Sequence, residues 1–286
     1  MTKESRPLRV QGGNDDFGRI DTWDASLAES WANALDKRAT NPDQVLLRAA
    51  LFDMARIGLG QTIVDMGCGT GSLMLELASA VGAAGKVIGI EPQPGLASVA
   101  QRRIAESGLA ERCHVRIERG SVTSLNSAIA DVCIAQTVLL HLPEGERNAT
   151  LARMIELTKR GGCVISSDQD ADTWVIDHPD QELTRRIVAC YGEQSFADGW
   201  MGRKQRRAFL DAGLKSVEVR VIPMVDTSAD SFAFGRAVSR AQVASKTGWI
   251  TDEEQRRWLA TLNQLATAGQ FFTSTNYYLT IGYVDL

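Results

Sequence analysis

Residues 63–71, IVDMGCGTG, constrain this chain more than any other stretch. An apolar run leads into Asp65, glycine follows at positions 67, 69 and 71, and a helical pattern begins at Leu73. The string reads as strand, tight turn and helix. Glycine is required there because the turn uses backbone angles that a Cβ disfavours, and because a ligand must approach the main chain closely. The strand therefore delivers a ligand-binding turn to the start of a helix.

The chain around and beyond this turn keeps alternating. Strands read at 62–67, 86–91 (KVIGIE), 114–117, 130–137 (ADVCIAQT) and 162–167, and helices at 73–81, 95–107, 144–158 and 179–191. Strands this apolar, separated by helices of ten or more residues, predict an α/β fold with a parallel sheet covered on both faces. Ligands in such sheets sit beyond the carboxyl ends of the strands, where the glycine turn lies.

The flanks are organised differently. Residues 1–20 are polar, carry Gly12, Gly13 and Gly18, and are expected to be mobile at the start. Trp23, Leu27, Trp31 and Leu35 fall four apart, which predicts one amphipathic helix over 21–37, either packed on the domain or lying as a lid over a site. Asn41, Pro42 and Gln44 form a helix start for 45–57, expected to stop at Gly58 and Gly60. Beyond Trp200 come a short helix at 204–212, an alternating strand at 216–225, a helical block at 231–245, a second helix opened by Thr251 with Glu254, and a closing strand at 277–284. The helical block between the last two strands is too long for a connection and reads as an insertion that walls a pocket. The expected organisation is an N-terminal lid at 1–40, a core at 41–225, the insertion at 226–276 and the last strand at 277–286.

Composition removes several function classes. With 286 residues, a net charge of -4 and no basic cluster, the chain is large enough for a full core and suits neither nucleic acid nor an anionic membrane surface. No run of eighteen apolar residues is present, so no membrane insertion is expected. Lys3, Arg6 and Arg9 precede no apolar segment, so no secretory signal is read and a cytoplasmic location is expected. Cys68, Cys113, Cys133, Cys163 and Cys190 are an odd set without metal-site spacing, and His114, His141 and His178 do not complete one. The thiols read as reduced, with Cys133 and Cys163 as small core residues.

The glycine spacing chooses the ligand. A dinucleotide turn needs G-x-G-x-x-G; here the third glycine comes one position early and Ser72 stands in its place. The string VDMGCGTG resembles instead the first motif of the class I S-adenosylmethionine-dependent methyltransferases. Glu91, twenty residues beyond Gly71, falls where that family binds the ribose hydroxyls. Gly120, Ser121 and Val122 fall where it holds the adenine, with Ser121 departing from the usual Asp. ADVCIAQTVLLHLPE (130–144) resembles its fourth motif, and RGGCVISSD and GRKQRRAFLDAGLKSVEV also fit. The resemblance spans residues 40–220 and is nearest in layout to the ubiquinone/menaquinone-biosynthesis type and to natural-product small-molecule methyltransferases. Gln136, Thr137 and Val138 differ from the Pro-Pro-Tyr string of nucleic-acid amino-methylating enzymes. The resemblance implies a Rossmann-like, mostly parallel seven-stranded sheet and S-adenosyl-L-methionine as cofactor. It implies cofactor contacts from Asp65, Gly67, Cys68, Gly69, Gly71, Glu91, Pro92, Gln93, Gly120, Ser121, Val122 and Gln136.

Methyl transfer from a sulfonium is an in-line displacement in which alignment alone supplies on the order of 7–11 kcal/mol. A general base helps if the acceptor is a hydroxyl or an acidic carbon. His141, just past the fourth strand, is one candidate, its alternative role being structural; Asp168, with Asp170 and Asp172 beside it, is the other. Tyr277 and Tyr278 lie on a strand, so one of them faces inward. Trp23, Trp31, Trp174, Trp200, Met201, Phe232, Phe234, Phe271 and Phe272 are the expected acceptor walls, with Arg38, Arg185 or Arg203 available for an acidic group. These point to a small, partly apolar or aromatic acceptor methylated at O, N or C, with no metal. A homodimer is left open. The competing readings are a cofactor-binding protein without transfer and, against the glycine spacing, a nicotinamide-dependent oxidoreductase.

Overall fold

The computed structural model describes residues 15–285. A 3-10 turn at Phe17–Thr22 leads into α1 (Ala25–Ala39), capped by Asp24, whose side chain accepts from the Leu27 amide. Residues 15–22 thus lie against the domain; the mobility expected at the start of the chain falls on residues outside the described ones. α2 (Pro42–Ala55) starts at the Asn41 cap as read, but it ends at Arg56, in a left-handed conformation, before the glycines expected to stop it.

The alternating segment comes next: β1 (Thr62–Met66), α3 (Ser72–Val81), β2 (Lys86–Ile90), α4 (Pro94–Glu106), β3 (Cys113–Arg116), β4 (Ala130–Gln136), α5 (Glu144–Leu157) and β5 (Thr158–Gln169). A two-residue strand β6 (Val175–Ile176), α6 (Gln181–Gln194), α7 (Met201–Asp211), β7 (Lys215–Asp226), α8 (Phe232–Lys246), α9 (Asp252–Thr267) and β8 (Thr273–Tyr283) complete the chain.

Strands β3, β2, β1, β4 and β5 are adjacent and parallel in that order. β8 runs antiparallel to β5, and β7 pairs antiparallel along β8. The sheet has eight strands where seven were expected; the extra one is β6, which pairs with Thr273 and Ser274 at the start of β8. α2 and α3 bury Leu47, Leu51, Leu73 and Leu77 on one face, while α5, α6 and α7 bury Leu151, Met154, Ile187 and Phe209 on the other. Strands with both faces covered need no polar face, which is why β1 reads as an unbroken buried run from Ile63 to Met66.

Strand order reverses at β1, whose two neighbours are β2 and β4. Chain leaving β1 diverges there from chain leaving β4, and a crevice opens between them. Met66 pairs with Ala135, so the glycine turn and Gln136–Thr137 emerge side by side.

Candidate active site

The turn after β1 has glycine where a side chain cannot fit. Gly67 has φ +70°, and a Cβ there would come within 2.6 Å of Val138 Cγ2; Gly69 has φ +55°. The bare main chain bonds the end of the next strand: the Gly69 and Gln93 amides each donate to Glu91, both at 2.9 Å. Burial nonetheless pushes the Glu91 carboxyl up to about 7. Burial, with the Glu91 charge nearby, pushes Asp65 up to about 8, and its Oδ2 is buried without a partner.

Asp65, Gly67, Cys68, Gly69, Glu91, Pro92, Gly120 and Gln136 all line one cleft, together with Thr70, Ser72, Arg119 and Thr150. Four other expected contacts fall outside its lining. Gly71 (φ +78°) caps α3, and a Cβ there would sit 2.9 Å from that of Ala100, so this glycine serves the approach of α3 to α4. Gln93 caps α4 and holds Glu91 from behind. Ser121 and Val122 follow Gly120 into a 3-10 turn that carries Val122 out to solvent, 74% exposed. Burial raises the Cys68 thiol well above its usual range, which suits a wall and not a nucleophile. All five cysteines are free and buried.

α1 closes over this cleft from the side. Asp36 bonds the Thr70 hydroxyl at 2.9 Å and pairs with Arg103 of α4, so the helix is tied both to the glycine turn and to the sheet layer. Leu35 comes down beside Gly69. α1 is thus packed on the domain and lines the cleft with Leu35, Arg38 and Ala39.

A second and larger cavity, about 510 Å³ against about 170 Å³, lies beyond α1. Trp31, Tyr191, Phe196, Phe232 and Tyr277 wall it. Trp23, Trp200, Met201, Phe234, Phe271 and Phe272, expected in the wall, are not in it. Trp23 stacks behind Trp31, and Phe271 meets Phe234 edge-on in the core. Met201 is buried in the core, while Trp200 and Phe272 are partly exposed to solvent. Trp174 supports the cavity from below, bonded to Thr273. Tyr277 faces in and Tyr278 does not, as strand alternation requires.

The two cavities share Phe17, Leu35, Arg38, Thr137 and His141. Thr137 has φ +57°, an outlier for a β-branched residue, and its Oγ1 is buried without a partner. Such conformations persist where the surroundings enforce them, commonly at functional sites. His141 ends a 3-10 turn, Leu139–His141, and lies between the rings of Phe17 and Phe196. Among the described residues the ring bonds no backbone carbonyl. Nδ1 meets Asp15 Oδ1 at 2.8 Å instead, and Asp15, buried, also accepts the Ala197 amide.

Asp168, the other catalytic candidate, lines neither cavity. It is fully buried and bonded by Gln205 (2.8 Å) and Ser166 (3.3 Å). Burial pushes its carboxyl up to about 6, against Gln205, the His141 charge and the Leu140 amide, which lower it; the residue sits behind the turn that carries His141. Asp170 caps the turn after β5 and pairs with Arg203, while Arg185 is exposed on α6. Among the described residues no group of three or more His, Cys, Asp or Glu side chains is arranged for a metal ion.

Residues 63–162 match the family model described as a methyltransferase domain. That stretch is a class I S-adenosylmethionine-dependent methyltransferase domain. Similar to this methyltransferase is an uncharacterized 37.1 kDa protein of a Streptomyces fradiae transposon, 27% identical over 86% of the chain and 69% of that protein. A demethylmenaquinone methyltransferase of Desulfitobacterium hafniense is 33% identical over 40% of the chain and 44% of its own length. The fold is that of the YcgJ protein of Bacillus subtilis, with TM-score 0.58 and 14% identity over 84% of the chain and 98% of that protein. No described helix of the methyltransferase is long and apolar enough to cross a membrane.

The residues present fit the family's cofactor, S-adenosyl-L-methionine. Two buried carboxyls held near neutrality, one with an orphaned oxygen, are completed by a ligand that brings positive charge and hydroxyl donors.

Proposed function

We propose that this methyltransferase acts on a small, partly apolar or aromatic metabolite seated in the larger cavity. The observation that carries the reading is the junction: the cofactor cleft and the aromatic cavity meet at Thr137 and His141. S-Adenosyl-L-methionine, when bound, supplies a sulfonium-activated methyl group. Glu91 and the Gly67–Gly69 main chain would hold its adenosine part, and Asp65 its cationic part.

The chain's own residues then have to align a nucleophile and exclude water. Phe17, Leu35 and Phe196 give the junction apolar walls, which favour a desolvated nucleophile. His141 is the candidate general base: Asp15 holds Nδ1, and Nε2 takes no hydrogen bond among the described residues. Asp15 fixes the tautomer and the orientation of the ring, as a carboxylate behind a catalytic imidazole does. Asp168 holds the turn from behind as a positioning residue.

The Desulfitobacterium hafniense relative is named for methylating demethylmenaquinone, which supports a small-molecule acceptor. The test is release of S-adenosylhomocysteine from S-adenosyl-L-methionine across a panel of phenols, enols and aryl amines. Acceptor-dependent release is expected. Cofactor binding with no release from any member would leave a cofactor-binding protein without transfer.

A further inference from the structure

The face of α8 turned to the larger cavity sets two arginines against its aromatic wall. Phe232, Gly235, Arg236, Ser239 and Arg240 line it at helical spacing, while Ala237, Ala241 and Ala244 face the core. Arg236 lies over the rings of Trp174 (4.9 Å) and Tyr191 (5.7 Å), and its Nη1 meets Gln169 Oε1 at 3.5 Å. Arg240 Nη1 donates to Ser195 Oγ at 2.9 Å. Both Nε atoms are buried without a partner, and neither guanidinium pairs with a carboxylate among the described residues. The cavity's own acids are engaged elsewhere, Asp15 by His141 and Asp16 by Trp31 and Arg19.

Two guanidiniums one helical turn apart, drawn into a cavity and lacking an acid, are short of an anion. Arginine presents a fork of donors suited to a carboxylate or phosphate, and here the aromatic rings beneath Arg236 fix its plane. Neither arginine lines the cofactor cleft, so the anion is held away from the junction where transfer takes place. We propose that the acceptor carries an oxyanionic group, a carboxylate or a phosphate ester, bound by Arg236 and Arg240, with its methylated atom elsewhere on the molecule at Thr137 and His141. This deepens the proposed function and rests on it.

Binding of matched probes tests it: 2-naphthoate, 2-naphthyl phosphate and 2-naphthamide, titrated into the protein with S-adenosylhomocysteine present. At least one anion should bind about tenfold or more tightly than the amide, as a charge-assisted pair requires. The preference should shrink with added salt, fall in Arg240→Gln and in Arg236→Gln, and be partly retained in Arg240→Lys. S-Adenosylhomocysteine affinity should be unchanged in Arg240→Gln, which also certifies its fold. No anion binding more tightly than the amide, or a preference that survives the Arg236→Gln/Arg240→Gln double variant, overturns the proposal. Failure of S-adenosylhomocysteine itself to bind would instead overturn the underlying reading of the site.

Discussion

The cleft proposed for the cofactor is made largely by main chain at the ends of three adjacent parallel strands, whereas the cavity proposed for the acceptor is made by side chains, many of them from α1, α6, α8 and β8. In the first, recognition needs a turn of defined shape, and glycine at 67 and 69 together with an acid at 91 is enough to build it. In the second no backbone shape is prescribed, and any set of rings and charges that fills the space serves. The difference teaches where change is tolerated: the cleft is one local solution, and the cavity is a surface that substitutions can reshape without disturbing the sheet.

The largest expected effect lies where the two regions meet. His141→Gln should lower kcat by roughly a hundredfold to ten-thousandfold, with KM and S-adenosylhomocysteine affinity little changed. Asp15→Asn should lower kcat less, because the imidazole loses the carboxylate that orients it. Steady-state kinetics over pH checks both. A kcat unaffected by His141→Gln would mean that alignment alone drives the reaction and that the junction contributes shape only.

A smaller effect separates the regions by pH. Burial raises Asp65 to about 8 and Glu91 to about 7, so in the free protein these carboxyls hold protons that the unfolded chain has released. The folded state then binds more protons between about pH 4 and 8, and the free protein loses stability as pH rises through that window. A ligand that prefers the ionised carboxyls binds more tightly as pH rises, by up to about tenfold per unit between the Glu91 and Asp65 values and by more below both, where two protons are linked. Melting temperatures with and without S-adenosylhomocysteine from pH 5 to 9 would show this. Asp65→Asn should flatten the stability of the free protein across that range, and an unchanged slope in that variant would place the linkage elsewhere.

How much of each region was legible depends on the same contrast. The strand, turn and helix at 62–81 are adjacent in sequence, and each carries its own signal: an apolar run, glycines at φ > 0 and a helical period. Gln93, Ser121 and Val122 are also adjacent to motif positions, yet they sit in a cap and a 3-10 turn outside the lining of the cleft, which spacing does not reveal. The bond between Asp15 and His141 joins residues 126 apart, and nothing local to either announces it. Arg236 and Arg240 sit in a helix whose composition suits any exposed helix, and only the cavity shows that their face is turned inward. Asp168 carried the expected chemistry on the expected strand, but the inward side of that strand packs against Gln205 of α7.

The central claim is that Glu91 and the glycine turn hold S-adenosyl-L-methionine and that the α8 arginines do not. Calorimetric titration of S-adenosylhomocysteine into the wild type, Glu91→Ala and Arg240→Gln tests it directly. One-to-one binding is predicted, weakened by about tenfold to a hundredfold or more in Glu91→Ala, since at least one charged hydrogen bond of roughly 1.5–3 kcal/mol is lost, and unchanged in Arg240→Gln. Absence of binding to the wild type, or equal affinity in a folded Glu91→Ala variant, would contradict it.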